Sequence, residues 1–145
     1  MAKLLRRMEE KDLSSASEIM AEAFKGEPWK EDWTAQECQK RFQEIFSSPM
    51  NLSFVLEEEG EILGCCLGLI FTYMDHKEYT IIDFFINQKI QHQHIGSLMM
   101  NLVIEEVKKH NIKKITLNTI KGCEEFYEKC AFVINEEGLI LEKTL

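Results

Sequence analysis

The sequence has no excess of basic charge, no apolar run long enough for a membrane, no even set of cysteines and no internal repeat. Its formal net charge is −8, which argues against a nucleic-acid or anionic-membrane surface and suits a cationic ligand. No apolar run approaches the roughly 20 residues that a membrane-spanning helix needs. Lys3, Arg6 and Arg7 are followed by acidic residues and not by an apolar core, so no secretory leader is expected. The five cysteines, Cys38, Cys65, Cys66, Cys123 and Cys130, are odd in number and lack zinc spacing. They read as core thiols of a reducing cytosol, and a cytoplasmic location is expected. With 145 residues, 45% apolar and 29% charged, and no linker, the expectation is one domain over residues 1–145 with a real core.

Hydrophobic periodicity orders the chain. Lys3 to Met8 reads as a short strand. Asp12 can cap a helix in which Leu13, Ala16, Ile19, Met20, Ala23 and Phe24 share a face, ending at Gly26. Thr34 with Glu37 has the spacing of a capping box. The helix it opens gathers Cys38, Phe42, Ile45 and Phe46, and Ser47-Ser48-Pro49 stops it. The period then changes to that of strands: Leu52–Leu56, a turn at Glu58–Glu61, and Ile62–Phe71, which is apolar on both faces and should lie centrally. Tyr73 to Glu78 reads as a polar loop. The apolar run Tyr79–Ile86 is a strand and Asn87–His94 a polar loop. A helix then carries Ile95, Leu98, Met99, Leu102 and Val103 on one face, with Asn111 as its C-cap. Lys114–Asn118 alternates as a strand. A last helix gathers Cys123, Phe126, Tyr127 and Cys130, and Phe132–Ile134 with Leu139–Leu141 reads as a closing strand pair around Gly138.

The strand–loop–helix unit from Tyr79 to Asn111 carries the first chemistry. A helix that follows a strand through a short loop presents unpaired N–H groups at its positive end, and that suits a phosphate. Within the unit, Gln91-His92-Gln93-His94-Ile95-Gly96 resembles motif A of the GNAT superfamily of N-acetyltransferases, a Gln/Arg-x-x-Gly-x-Gly/Ala loop. His94 stands where the first glycine of that pattern usually sits. Phe126-Tyr127-Glu128-Lys129-Cys130-Ala131-Phe132 is similar to the family's Phe-Tyr-x-Lys-x-Gly-Phe segment, with Ala131 in place of the glycine. The order β-α-α-β-β-β-α-β-α-β-β is also that of the GNAT fold, so the resemblance covers nearly the whole chain. It implies an α+β domain with a mixed central sheet flanked by helices.

The resemblance implies acetyl-CoA as cosubstrate. Backbone amides from Gln91, His92, Gln93, His94, Ile95, Gly96 and Ser97 would hold its pyrophosphate, and main-chain groups near Phe85 and Ile86 its pantetheine arm. The Ile86 amide would face the thioester oxygen, and Asn118 is a looser candidate for the arm. Tyr127 matches the family's general acid; a phenol of ordinary pKa ≈ 10 is a suitable donor to a thiolate. Packing on its helix stripe is the competing reading.

Asp83 lies in an apolar strand, where a carboxylate is costly unless it points into a polar site. It is a candidate base or amine-positioning group, with Glu78 and a water relay as alternatives and a salt bridge as the structural reading of equal weight. For the acceptor, Glu27, Trp29 and Trp33 fall in the connector that lines this site in the family, and aromatic rings with carboxylates suit a cation. One tryptophan is expected to touch substrate and the other to anchor the loop. Tyr73, with Asp75 and His76, is placed on the opposite rim. His92 and His94 have no third ligand at useful spacing, so no metal is expected.

Acetyl transfer by direct attack of a primary amine on the thioester is the leading function. The acceptor is expected to be a small cationic molecule, with a loose likeness to aminoglycoside 6′-N-acetyltransferases. A CoA-binding regulatory module without transfer activity and an interaction domain without a ligand are the alternatives. GNAT domains often dimerise, so the resemblance admits a homodimer.

Overall fold

Two long strands and their hairpin set the architecture. The computed structural model describes residues 2–90 and 94–145, so the expectations on Gln91, His92 and Gln93 lie outside the described residues. The elements are β1 (Leu4–Arg7), α1 (Leu13–Lys25), α2 (Ala35–Phe46), β2 (Phe54–Glu58), β3 (Glu61–Tyr73), β4 (His76–Ile86), α3 (Ile95–Lys108), β5 (Ile112–Leu117) and α4 (Glu124–Lys129). The strands form one sheet in the order β1-β2-β3-β4-β5. Its first four strands are antiparallel neighbours, and β5 runs parallel to β4. The sheet is therefore mixed, with β3 at its centre, and the fold is the expected α+β, GNAT-like one.

Alternation along the strands separates two cores. On one face α1 and α2 pack Leu13, Met20, Phe24 and Phe42 onto Val55, Leu67 and Phe85. On the other, α3 packs Met99, Val103 and Val107 onto Phe54, Leu56, Cys66 and Tyr79. The Phe42 ring, fully buried, stacks on Phe85 at 5.9 Å; burying such a side chain is worth about 2–3 kcal/mol.

The capping box at Thr34 forms as expected. Thr34 Oγ1 accepts from the Glu37 amide at 3.1 Å, and Glu37 Oε1 accepts from the Thr34 amide at 2.9 Å.

Four local expectations are corrected. Residues 73–78 are not a loop: the β3–β4 hairpin turns on Met74 and Asp75, with Tyr73 paired to His76. The polar side chains that suggested a loop lie on the part of the hairpin that extends past the core, where Phe71 and Tyr73 are also exposed. Asp12 stands at the N-cap position of α1, but its side chain makes no capping bond there. It is buried, and its carboxylate accepts from Arg6 at 2.8 and 2.9 Å and from the Glu9 amide at 2.7 Å. The C-cap of α3 is Lys109, and Asn111 instead supplies a left-handed turn (φ 59°) into β5, a conformation asparagine tolerates. Phe132–Ile134 and Leu139–Leu141 form no strands, because neither run meets a strand edge to pair with.

Arg6 also pairs with Glu57, so one guanidinium ties β1, the start of α1 and β2 together. Burial works against the Asp12 charge, but the Arg6 and Glu9 hydrogen bonds outweigh it and hold its carboxyl below the ordinary 3.8. A carboxyl depressed in the folded state stabilises fully above its unfolded pKa, and that contribution is lost as pH falls through the folded value. Asp12→Asn should cost about 3 kcal/mol at pH 7 in urea unfolding. The gap to the native chain should shrink as pH drops from 4 towards 2.

Candidate functional site

The site begins with one extra residue in β4. Leu67 of β3 faces Asp83 while the next residue, Gly68, faces Ile81, so Ile82 is a bulge. A bulge shifts the phase of the alternation by one. Before it, Tyr79 and Ile81 point to the α3 side; after it, Asp83 and Phe85 point to the α1–α2 side. The bulge also coincides with the end of the β4–β5 ladder. The last pair is Ile81 with Leu117, yet β4 continues to Ile86.

Residues 82–86 therefore present a strand edge with no neighbour on the β5 side among the described residues. The Asn87 amide donates to Leu63 of β3 at 2.8 Å. By the period-two alternation of strand hydrogen bonding, the backbone groups of Ile86 and Phe84 face the other, open way. The Ile86 carbonyl accordingly accepts from the Gln88 side chain at 3.3 Å.

The N-terminus of α3 lies beside this edge. His94 precedes the helix at φ 58°, ψ 24°, the left-handed region, and its imidazole makes no cap hydrogen bond. Histidine is among the non-glycine residues enriched there, so the backbone turn that a glycine would supply is kept. Ile95 is buried in the core, and Gly96 meets the ring of Phe126: a Cβ at Gly96 would lie 3.1 Å from it. That close approach seats α4 against the start of α3.

Phe126 in turn contacts Phe84 of the open edge, with ring centroids 5.9 Å apart. Tyr127, the next residue, is thereby brought to the same end of β4. Its ring packs edge-on against Phe126 at 5.0 Å and Phe132 at 5.8 Å. Burial pushes its phenol well above the ordinary value of 10, with smaller contributions from Cys123, Cys66 and Cys130. Its hydroxyl makes no hydrogen bond among the described residues.

The C-terminus of α4 explains the spacing of its motif. The Phe132 amide donates to the Tyr127 carbonyl at 3.0 Å and the Ala131 amide to the Glu128 carbonyl at 3.0 Å, with Ala131 at φ 70°. This is a Schellman cap, complete with the apolar contact of Phe132 on Tyr127. Its left-handed residue is normally glycine.

Two side chains unremarked in the sequence lie at this end of the sheet. Thr119 follows β5, and its Oγ1 is buried without a hydrogen-bond partner among the described residues. A buried hydroxyl without a partner costs about 1–3 kcal/mol. Asn118 beside it is exposed and does not cap α4, whose N-cap is Cys123. The second is Arg41 of α2. Its Nε and Nη2 donate to the two Asp83 oxygens at 2.8 and 3.2 Å. The salt-bridge reading of Asp83 is thus the one the structure displays, and nothing in the sequence pairs two residues 42 apart.

The guanidinium also lies over Trp33, 5.7 Å from the ring centroid. Trp33 lines a groove of 670 Å³ that runs between α1, the connector before α2 and residues 87–89 at the end of β4, with Glu18, Glu22 and Asp32 in its walls. Trp29 packs edge-on against Phe24 at 5.1 Å, and both tryptophans pack against the α1–α2 core. Glu27 is exposed, paired with Lys30 at 2.8 Å, and not part of the groove.

Two further candidates are remote. Tyr73 packs at a tilt against His76 at the hairpin tip, and Glu78 hydrogen-bonds His76 at 3.3 Å. At about 3.3 Å per residue, these sit roughly 25–35 Å along β4 from Ile86. Neither Tyr73 nor Glu78 lines the groove that holds Trp33.

An open strand edge beside a helix N-terminus, with a half-buried tyrosine at the same end, is one arrangement. The sequence profile of the Acetyltransferase (GNAT) family matches residues 13–132, which span all of these parts. The chain belongs to that family. It is therefore an N-acetyltransferase of the GNAT type. No curated protein matches the chain by sequence.

Among solved structures, a possible acetyltransferase from Clostridium difficile 630 superposes with a TM-score of 0.85 at 10% identity, covering 100% of this chain and 99% of its own. A transcriptional regulator from Bacillus halodurans C-125 gives 0.78 at 23% identity, covering 98% and 100%. An aminoglycoside N-acetyltransferase in complex with CoA gives 0.74 at 12% identity, covering 99% and 96%. Likenesses at these identities show the fold.

The Schellman geometry yields a stability prediction for this GNAT chain. An alanine in the left-handed region is strained by roughly 1–2 kcal/mol, partly offset by the backbone entropy that glycine loses. Ala131→Gly should stabilise the protein by about 1 kcal/mol, a rise of about 3 °C in melting temperature at this length. His94→Gly should raise it less, because histidine tolerates the same angles better.

Proposed function

We propose that the protein moves an acetyl group from acetyl-CoA to a primary amine of a small cationic acceptor, by direct attack and without an acyl-enzyme. The observation that carries this reading is the open β4 edge at residues 82–86, flanked by the α3 N-terminus and Tyr127. The buried Thr119 hydroxyl, unpartnered among the described residues, is the independent sign that a polar ligand belongs there.

Acetyl-CoA supplies an acyl carbon already activated as a thioester. The chain supplies the rest. The outward backbone groups of Phe84 and Ile86 receive the pantetheine arm as an added strand would be received, with Phe85 between them holding the strand on its Phe42 stack. Thr119 Oγ1, and Asn118 beside it, complete the polar partners of the arm. The α3 N-terminus, from His94, Ile95, Gly96 and Ser97, faces the pyrophosphate, and Gln91, His92 and Gln93 lead into it. The Ile86 N–H is fixed before reaction where negative charge develops on the carbonyl oxygen, and so stabilises it without reorganisation.

Tyr127 keeps its proton at neutral pH and its hydroxyl is the donor to the departing sulfur, while the protons lost by the attacking ammonium leave through a water relay, one of them returning to the phenolate. Asp83 is bound by Arg41 through both oxygens, so the pair acts as an amine-positioning group, set through Trp33 against the acceptor groove. Glu18, Glu22 and Asp32 outnumber Lys25 and Lys89 in its walls, a small acidic excess that favours a cation. Free thiols throughout the chain fit a cytoplasmic setting.

Thermal unfolding with acetyl-CoA tests binding, and release of CoA thiol with a panel of polyamines and aminoglycosides tests transfer. Ligand at 100 times its Kd should add about 2.7 kcal/mol, several degrees at this length. Tyr127→Phe should keep that shift while kcat falls at least about 100-fold. The phenol is raised by burial, so the native enzyme should show no alkaline fall in kcat from this group up to pH 10. Absence of any shift at saturating acetyl-CoA would remove the reading.

A further inference from the structure

We infer that Cys123 is a site of reversible mixed-disulfide formation with the thiol of CoA, which shuts the transfer site when CoA is oxidised. The inference rests on the acetyl-CoA reading above. It starts from the five free thiols, which differ in kind. Cys38, Cys65 and Cys66 are fully buried, and burial pushes all three thiols up, Cys66 to about 12. Such thiols are inert. Cys130 packs against the α3-side core, and burial raises it as well. Cys123 is half-buried and packs in neither core.

Its surroundings place it at the opening beside β4. Residues 118–123 lead from the end of β5 into α4, across from the open edge at residues 82–86. Gly122, at φ 104°, approaches the connector between α1 and α2: a Cβ there would lie 3.9 Å from Pro28. That approach borders the opening on the α1–α2 side, and the contact of Phe84 with Phe126 borders it on the α3 side. Cys123 stands between the two borders. The turn that carries it is fixed, because the Gly122 amide donates to Glu124 Oε2 at 2.7 Å and the Cys123 amide to the Ile120 carbonyl at 3.1 Å.

Cys123 and Tyr127 are four residues apart, a spacing that puts them on one helix face with Cβ atoms about 5–6 Å apart. Of the three sulfurs that bear on the Tyr127 phenol, Cys123 does so most strongly. The departing CoA sulfur takes its proton from that phenol and therefore arrives beside the Cys123 sulfur. The same loop holds the independent sign of a ligand, the buried Thr119 hydroxyl that has no partner among the described residues. Within the chain no thiol competes from α4: Cys130 is seven residues on, about 10 Å of helix, beyond the roughly 7 Å that a disulfide spans.

The step is thiol–disulfide exchange. The Cys123 thiolate attacks one sulfur of CoA disulfide; the S–S bond of that disulfide breaks and a new one joins Cys123 to one CoA. The other CoA leaves as thiolate and takes up the proton that Cys123 released, so no further oxidant is needed. The tethered CoA then holds the place of acetyl-CoA until a thiol reductant reverses the exchange.

The test incubates the full reduced chain with CoA disulfide or with glutathione disulfide, with and without excess acetyl-CoA, and reads intact mass and peptide maps. The expected product is one CoA per chain on Cys123. It should form at least about tenfold faster than the glutathione adduct, because binding holds the disulfide at the thiol. Acetyl-CoA should suppress it and dithiothreitol reverse it. Cys123→Ser should abolish the adduct and still fold, since serine is favoured at a helix N-cap, whereas Cys130→Ser should leave the adduct in place. An adduct that forms as fast with glutathione disulfide, ignores acetyl-CoA or maps to another cysteine overturns the inference. Thermal unfolding with acetyl-CoA separates the two possible failures. A shift without the adduct overturns the Cys123 assignment alone, and no shift removes the transfer reading together with it.

Discussion

One extra residue in β4 decides what the rest of the structure can be. Without the bulge at Ile82, Asp83 would continue the phase of Tyr79 and Ile81 and place its carboxylate among Met99, Val103 and Val107. An ionised group in such a layer costs several kcal/mol even after relaxation. With the bulge, the carboxylate meets Arg41, Phe85 reaches Phe42, and Phe84 and Ile86 turn to the α3 side. Where the bulge falls, β4 and β5 part. The ion pair and the open edge are thus consequences of the same local irregularity, and a regular strand would supply neither.

Much of this was legible in the residues, for reasons that differ by element. The helices were readable because their apolar faces repeat over several turns and because Thr34 and Glu37 satisfy each other within four residues. The α3 N-terminus and Tyr127 were readable through their motifs. The bulge was not, since Ile82 is no different from Ile81 before it and only the partner strand reveals the shift. Arg41 was hidden for a related reason: its role depends on Asp83, and the register that brings them together is set by packing between α2 and β4. Tyr73, Glu78 and Asp83 read as neighbours in sequence, but a strand spends about 3.3 Å on every residue. A stretch of eleven residues therefore separates what a helix of the same length would keep within half the distance.

The two departures from the family pattern share one cause. His94 and Ala131 both occupy left-handed backbone, at φ 58° and 70°. At each, glycine would be the unstrained choice, and here a side chain is accepted because the surroundings fix the turn. At Ala131 the fixing is visible as two hydrogen bonds and one aromatic contact. Those same contacts hold the proposed acid. The Tyr127 carbonyl accepts the closing bond of the cap and its ring receives Phe132, so the residue that ends α4 also sets where the phenol sits. A cap that tolerates strain rather than unwinding keeps Tyr127 at a fixed depth beside Phe84, and fixed donors are what proton transfer to a departing group requires. The strain at Ala131 is then a cost borne by the fold to hold the site's geometry, which is where such strain is expected to collect.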